Sequence, residues 1–417
     1  MAQNMSLCII YAYDYPAWLL DMTQIRAKGV DAVALNIGKD PWQWDQVYSA
    51  YQAAAKTNIA VFISFDYTSF SCDVDLTVRW VNGLKDMPAQ FTVNGSPMIS
   101  SFSGSCLGPS GWQQVRERTR GYLMPFLSVD RNLLARDKAY GFLDSWLCWD
   151  CAWPQTNTDI DTREDRSYMD ILGEGRYATS LSPWFFSHFD YKGTYYRGDD
   201  WLLLTRWEEL VDMRNDLTFV EMVTWNDFGE SSYFGPINPD ETQPSGTTWA
   251  TGFPHTGFFD LSAYYIQAFK TGEYPAITED VIYFWLRPHP AGVTAFDDPL
   301  PKPEHWDWAV DRLWVAAFCA DSCTVTLQVG SYSQEFDNLS HGVNKLSIPL
   351  KSYGPVTVKV SRDGEDVIDY TPSDFEYRES TMAYNYNAYV GSASASPTKA
   401  KSLVEDTFPV EGDSSWL

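Results

Sequence analysis

Residues 30 to 66 read VDAVALNIGKDPWQWDQVYSAYQAAAKTNIAVFISFD, two short β-rich runs flanking an amphipathic one. Between the runs VDAVALNIG and IAVFISFD, the side chains Trp44, Val47, Tyr48, Tyr51 and Ala54 recur with a 3.6-residue period. That stripe predicts a helix over 43–57. Strand, helix and strand in this order are the signature of a parallel pair joined by a crossover helix.

The same alternation runs through the first 270 or so residues. Six more candidate strands are LCIIYAY (7–13), PMISSFSG (97–104), GYLMPFLS (121–128), AYGFLDSW (139–146), ATSLSPWFF (178–186) and FVEMVTWND (219–227). Eight strands with intervening helices predict an α/β chain, a (β/α)8 TIM barrel. A helix over 16–28 carries Pro16 in its first turn and stops at Gly29. Further helices are expected at 201–214 and 261–270. Between the fifth and sixth strands only RNLLARDK is available, enough for a single turn.

Past Tyr274-Pro275 the period drops to two. VIYFWLR, LWVAAF, TVTLQVG, NKLSIPL and GPVTVKVSRDGEDVIDY alternate with turn residues, which predicts an antiparallel, all-β sandwich-like domain. The expected division is a catalytic barrel over 1–274, an accessory β-sandwich over 275–390 and a mobile tail over 391–417, where GSASASPTKAK is poor in apolar residues.

Composition narrows the partners. A formal net charge of -25 on 417 residues repels polyanions and argues against nucleic acid and anionic membrane surfaces. No run of about 18 apolar residues is available to span a bilayer. The opening MAQNMSLCIIYAYDYP lacks a basic segment followed by a long apolar one, so no secretory leader is legible. Aromatic residues make up 16%, with 18 Trp and 25 Tyr, and flat rings with polar edges suit the apolar faces of sugars. Most of them still belong to cores. Of seven cysteines one must stay unpaired; Cys319 and Cys323 are spaced to close a small loop, Cys148 and Cys151 form a CxxC, and Cys72 and Cys106 follow successive strands. With five His and none at i, i+4 from another, no metal is expected, and no phosphate loop or GxGxxG calls for a nucleotide cofactor.

In a barrel the active site forms where the strands end. The predicted strands end in Asn36, Asp66, Trp146, Trp184 and the group Trp225, Asn226 and Asp227, with Glu230 one turn later. Carboxylates are depleted in strands, so Asp227 and Glu230 stand out. One reading makes Asp227 the cap of a following helix with Glu230 closing a capping box. The next residues, SSYFGPINPDETQPSG, hold three Pro and two Gly and cannot continue a helix. The other reading is a pair of carboxyls for glycoside hydrolysis, one donating a proton to the leaving oxygen and one activating water or attacking the anomeric carbon. Asp66 would face the same pocket. Trp146, Trp184 and Trp225 are candidate stacking platforms or plugs of the barrel mouth. Arg197, Asp199 and Asp200 offer a sugar-binding fork or, more simply, an ion pair holding a loop.

Taken together, DAVALNIG, FISFDYTSF, SSFSG, SPWFF, RGDDW, VTWNDFGESSYFGP and PHTGF, in this order, resemble glycoside hydrolase family 71, the fungal α-1,3-glucanases or mutanases. The resemblance covers residues 30 to about 290. It implies a barrel with a β-sandwich, cleaving the polysaccharide α-1,3-glucan by inversion and without metal or cofactor. It makes Asp227 and Glu230 the catalytic pair, with Glu230 as acid and Asp227 as base, and Asp66 a third essential carboxylate. Asn36, Trp146, Trp184, Trp225, Asn226, Tyr233 and His255 become candidate substrate contacts. A monomer, secreted or associated with the cell wall, is expected; an intracellular location remains the alternative for a chain without a legible leader. Other glycosidic linkages, or binding without cleavage, are the alternative functions. Two departures stand near the site: YAYDYP replaces an HxMVGN-like stretch, and Ser232 replaces a His of the family pattern.

Overall fold

The computed structural model describes residues 2–8, 12–198, 200–237 and 248–395. Eight parallel strands dominate the first part: β1 (Ala2–Cys8), β2 (Ala32–Ile37), β3 (Ala60–Asp66), β4 (Ser96–Phe102), β5 (Tyr122–Pro125), β6 (Trp146–Cys148), β7 (Tyr177–Leu181) and β8 (Phe219–Met222). They form one curled sheet in the order β5, β4, β3, β2, β1, β8, β7, β6, with a two-residue strand, Thr92–Val93, antiparallel to β4. No ladder joins β5 to β6 among the described residues. A single backbone bond from Ser145 N to Leu123 O, 3.0 Å, spans that gap.

The helices expected at 16–28, 43–57 and 201–214 form, and the one expected at 261–270 begins five residues earlier. α1 (Tyr15–Ala27) starts where Asp14 caps the amide of Ala17 at 2.9 Å, with Pro16 in the first turn. α2 (Gln43–Thr57) buries Val47, Ala50, Tyr51 and Ala54. α3 (Val74–Leu84), α4 (Gly108–Thr119), α5 (Arg163–Leu172), α6 (Leu202–Asp212) and α7 (Thr256–Thr271) complete the set. Between β5 and β6 the chain makes one 3-10 turn, Arg131–Leu134.

Several strands differ from their sequence reading; the fifth and eighth end early, at Pro125 and Met222, which leaves Trp225, Asn226 and Asp227 in the turn that follows. The first ends at Cys8 and begins at Ala2; beyond it Tyr13 is buried and donates to Asp21 at 2.6 Å, while residues 9–11 lie outside the described residues. The sixth starts at Trp146, seven residues late. Upstream, the carbonyls of Tyr140, Gly141 and Leu143 accept from the buried Arg176 guanidinium, so they are satisfied without a ladder. The seventh stops at Leu181 before Ser182-Pro183; Phe186–His188 then pairs antiparallel with Gly193–Tyr195 as a separate hairpin.

Strand alternation places Asn4, Ser6, Asn36, Ser64, Asp66, Ser100, Ser180 and Glu221 on one face of the curled sheet. Phe62, Phe91, Tyr122 and Phe219 meet edge-on or tilted at 6.0 Å centroid spacings. The aliphatic Val33, Leu35, Val61 and Ile63 lie on the opposite face and are fully buried or nearly so.

Two antiparallel sheets follow. One has the order Gly342–Pro349, Arg312–Cys319, Val281–Leu286, Tyr389–Ser394; the other runs Tyr332–Leu339, Cys323–Val329, Gly354–Arg362, Glu365–Tyr370, with Glu376–Tyr377 also paired to Gly354–Arg362. They share a core of Ile282, Phe284, Leu313, Val315, Val325, Leu327, Val356 and Val358. The other face of the first sheet carries Trp285 and Trp314 into the core of the parallel-sheet part, meeting Phe258 at 5.5 Å and Trp201 at 4.6 Å. Gly391–Ser394 belong to the last strand, so the sheet extends past Val390, where a tail was expected to begin. Residues 396 to 417 lie outside the described residues. Three disulfides close, Cys72–Cys106, Cys148–Cys151 and Cys319–Cys323.

Candidate active site

Asp227 and Glu230 follow β8 in a single 3-10 turn, Phe228–Glu230. Asp227 Oδ1 accepts the amide of Glu230 at 3.1 Å, so Asp227 does cap the turn. The reciprocal half of a capping box is missing: the Asp227 amide donates to Thr224 Oγ1 at 2.8 Å. The Glu230 carboxylate turns instead to Lys192, with which it forms an ion pair. Gly229 lets this turn sit on the hairpin, because a Cβ there would meet Phe189 Cζ at 3.0 Å.

The two acids have unequal surroundings. Desolvation foremost, and then the Glu230 charge, raise the Asp227 carboxyl, the Glu230 amide and Lys192 oppose them, and the net value is about 7. Desolvation would lower the Lys192 ammonium, but the Glu230 charge and hydrogen bond outweigh it and the net shift is upward. Lys192 belongs to the turn of the Phe186–Tyr195 hairpin and also lies 5.1 Å above the Phe185 ring. Beside it, the half-buried Tyr196 lies within electrostatic reach of Asp150, Lys192 and Glu230. Thus one acid, desolvated and predisposed to carry a proton near neutral pH, stands beside a second acid paired with a cation.

Asp66 ends β3 on the same C-terminal edge of the sheet, and its Oδ1 accepts the amide and hydroxyl of Thr68 at 3.0 and 2.6 Å. Asn36, the last but one residue of β2, shares the face of Asp66 and has a buried Oδ1 with no partner among the described residues. Asn226 is buried next to Asp227.

The aromatic candidates are placed differently from expectation. Trp184 is fully buried and donates to Tyr386 O at 2.8 Å. Trp225 is buried edge-on to Phe259 at 5.3 Å. Tyr233 is buried, donates to Phe253 O and stacks on His255 with centroids 4.1 Å apart. His255 is itself buried between the carbonyls of Tyr233 and Ala388, and desolvation lowers it to about 4. These four pack the junction or the core, so in this arrangement no sugar reaches their faces. Trp146 is also buried, stacked on Tyr168 at 4.2 Å, yet it lines a cleft. Ser232 is buried as well, so the departure from the family's His removes no exposed contact here. Arg197 pairs with Asp200 and, at 2.9 Å, with Asp159, which is the loop-holding reading; Asp199 lies outside the described residues.

Sequence reasoning missed Lys192, Asp150 and Tyr196. The only available signal for Lys192 was the turn sequence DYKG between two aromatic runs. Glu221 was also missed: it is fully buried, neither oxygen has a partner among the described residues, and desolvation raises it to about 8. Among the described residues no group of three or more His, Cys, Asp or Glu could hold a metal ion, and no helix is long and apolar enough to cross a membrane.

The chain resembles known proteins along most of its length. The chain is 34% identical over 400 residues to a glucan endo-1,3-alpha-glucosidase of Schizosaccharomyces pombe, covering 91% of each chain. It is 30% identical over 396 residues to a mutanase of Penicillium rubens, covering 92% of this chain and 86% of the relative. Among solved structures, a GH99 endo-alpha-mannosidase from Bacteroides thetaiotaomicron superposes with a TM-score of 0.51 at 12% identity, over 65% of this chain and 97% of its own, a likeness of fold. The family model for glycosyl hydrolase family 71 matches residues 1–402, and the protein belongs to that family of glycoside hydrolases.

Proposed function

We propose that the chain is an endo-acting hydrolase of α-1,3-glucan and that Asp227 and Glu230 carry the reaction. The observation that carries this reading is the pair itself: a desolvated Asp227 and a Lys192-paired Glu230 in one turn after the last parallel strand of a family 71 chain. The relatives' names supply the substrate class. The unequal surroundings favour Asp227 as proton donor to the leaving oxygen and Glu230 as the base that activates water, the reverse of the order expected from the sequence. Asp66, held by Thr68, orients the sugar or the water. In the inverting course that the family resemblance implies, one displacement by water breaks the glycosidic bond, the proton passing from Asp227 to the leaving oxygen and from water to Glu230.

The parallel strands are read as a closed (β/α)8 barrel, its β5–β6 seam sealed by Ser145 and Asp144 on Leu123, and the two antiparallel sheets as a sandwich docked against it. Barrel to about residue 274 and sandwich beyond it are the proposed domains. Three disulfides fit an oxidising compartment and hence a secreted or wall-associated enzyme. A monomer suffices for the chemistry.

The test is product analysis on insoluble α-1,3-glucan, with starch, dextran and β-1,3-glucan as controls. Short α-1,3-oligosaccharides from the first substrate alone are expected. Glu230→Gln should lower turnover at least ~100-fold while the melting temperature stays close to wild type. Asp227→Asn should retain most activity on a glucoside with a good leaving group, which needs no protonation, and lose it on the polymer. Undiminished polymer hydrolysis by Glu230→Gln would refute the assignment.

A further inference from the structure

A cleft of about 520 Å³ is bordered by Trp146, Asp150, Trp153, Gln155 and Tyr168. It opens where β6 ends, and Asp150 on its wall and Glu230 of the pair both act electrostatically on Tyr196. Its rim is acidic, but most of that charge is already committed. Asp159 is paired with Arg197, Asp161 with Arg163, Glu164 with Arg131 and Asp165 with Arg206. Asp150 alone among these acids has no cationic partner in the described residues. A cation would therefore meet one free carboxylate, which is a poor site for it.

The free polar groups suit a neutral polyol. Trp146, only 1% exposed, borders the cleft, and its indole N–H has no hydrogen-bond partner among the described residues. A buried N–H without an acceptor costs stability unless something fills that role. Tyr168 is half-buried, stacks on Trp146 and has the Arg131 guanidinium 4.7 Å from its ring centroid. Asp150 sits in a turn closed by the Cys148–Cys151 disulfide, with the Ser180 hydroxyl 2.7 Å from the carbonyls of Cys148 and Trp149. The acceptor is thus held in place before any ligand arrives.

We propose that this cleft is a remote glucosyl subsite of the same substrate chain, with Asp150 accepting sugar hydroxyls and Trp146 donating its indole N–H to one. The proposal rests on the reading of the chain as an α-1,3-glucanase. Bound here, a glucan strand runs from the carboxyl pair past Tyr196 into the cleft, so the site sets how much chain must extend beyond the cleaved bond.

The test separates binding from turnover. Depletion isotherms on insoluble α-1,3-glucan are measured for Glu230→Gln, for Glu230→Gln with Asp150→Asn, and for Glu230→Gln with Tyr168→Ala. Product sizes are measured for the chain with its pair intact and for the Asp150→Asn variant. Loss of charged hydrogen bonds should weaken binding about tenfold in the Asp150 variant, with a KM rise on polymer larger than any fall in kcat and a shift in product length. Melting curves identify a variant that fails to fold, in which case the other variant decides. If the unaltered chain cleaves the glucan but both variants bind as tightly and release the same products, the subsite proposal is overturned. If the unaltered chain neither binds nor cleaves α-1,3-glucan, the functional reading falls and the subsite with it; binding without cleavage, weakened by Asp150→Asn, overturns only the hydrolase reading.

Discussion

At Asp227 a structural role and a chemical one coincide. Its Oδ1 caps the turn that holds Glu230, and the rest of its surroundings raise it to about 7. The sequence presented these as rivals, a cap or a catalytic acid, because spacing alone is the same for both. What separates them is Lys192, which takes the Glu230 carboxylate away from the capping box. Lys192 lowers the Asp227 value, so its removal should raise it further. With Asp227 as donor, Lys192→Met is expected to move the alkaline limb of kcat/KM to higher pH and to reduce its maximum roughly 10- to 100-fold. A pH–rate series on soluble α-1,3-oligosaccharides reads both effects; an unmoved alkaline limb would remove Lys192 from the proton economy of the site.

Among the elements, α5, β7 and α6 are tied by a buried ion pair. Arg206 donates to both oxygens of Asp165 at 2.8 Å, and Tyr177 and Thr179 add hydroxyl donors to the same carboxylate at 2.8 and 2.7 Å. Burial would raise the Asp165 carboxyl, but Arg206 and these donors lower it overall. Removing the cation strands that charge in the core. Arg206→Met should cost about 3–5 kcal/mol in urea unfolding, whereas the double replacement with Asp165→Leu should recover a large part of it. Equal losses in the single and double variants would show that the charge was not the cause. In the sequence Arg206 reads only as one position of the helix predicted over 201–214; its partner lies 41 residues away, beyond the reach of any local pattern. Arg176 is similar, holding the segment before β6 out of strand form by bonding its carbonyls.

For the whole molecule, the polar face of the parallel sheet matters most. Glu221 is buried there beside Asn4 and Ser180 in the strand register, and desolvation raises it to about 8. An unfolded Glu titrates at about 4.3. Between that value and about 8 the folded chain keeps a proton that the unfolded chain has released, so stability falls as pH rises through this window. Glu221→Gln removes that proton linkage. Its unfolding free energy relative to wild type should therefore climb from pH 5 to pH 8, at a slope approaching about 1.4 kcal/mol per pH unit. A constant difference across that range would mean that Glu221 does not carry the linkage. Because Trp285 and Trp314 carry the first antiparallel sheet into the core of the parallel part, melting is expected as one transition at each pH.

The sequence by itself determined what depends on local period and order. The 3.6-residue stripe of α2 between two apolar runs, the change to period two after Pro275 and the Asp227–Glu230 spacing all survive in the structure, because each is written within a few turns of chain. Tertiary structure decided which of the tryptophans are accessible. Trp184 and Trp225 stand at or near strand ends, as a platform would, but the segment leading into the last antiparallel strand and α7 close over them. Tertiary structure also supplied Lys192 for Glu230 across 38 residues and left Asp150, among the described residues, the acid of its cleft without a cationic partner. Such pairings follow from desolvation and charge balance in the assembled fold, and a side chain carries neither until its distant neighbours are in place.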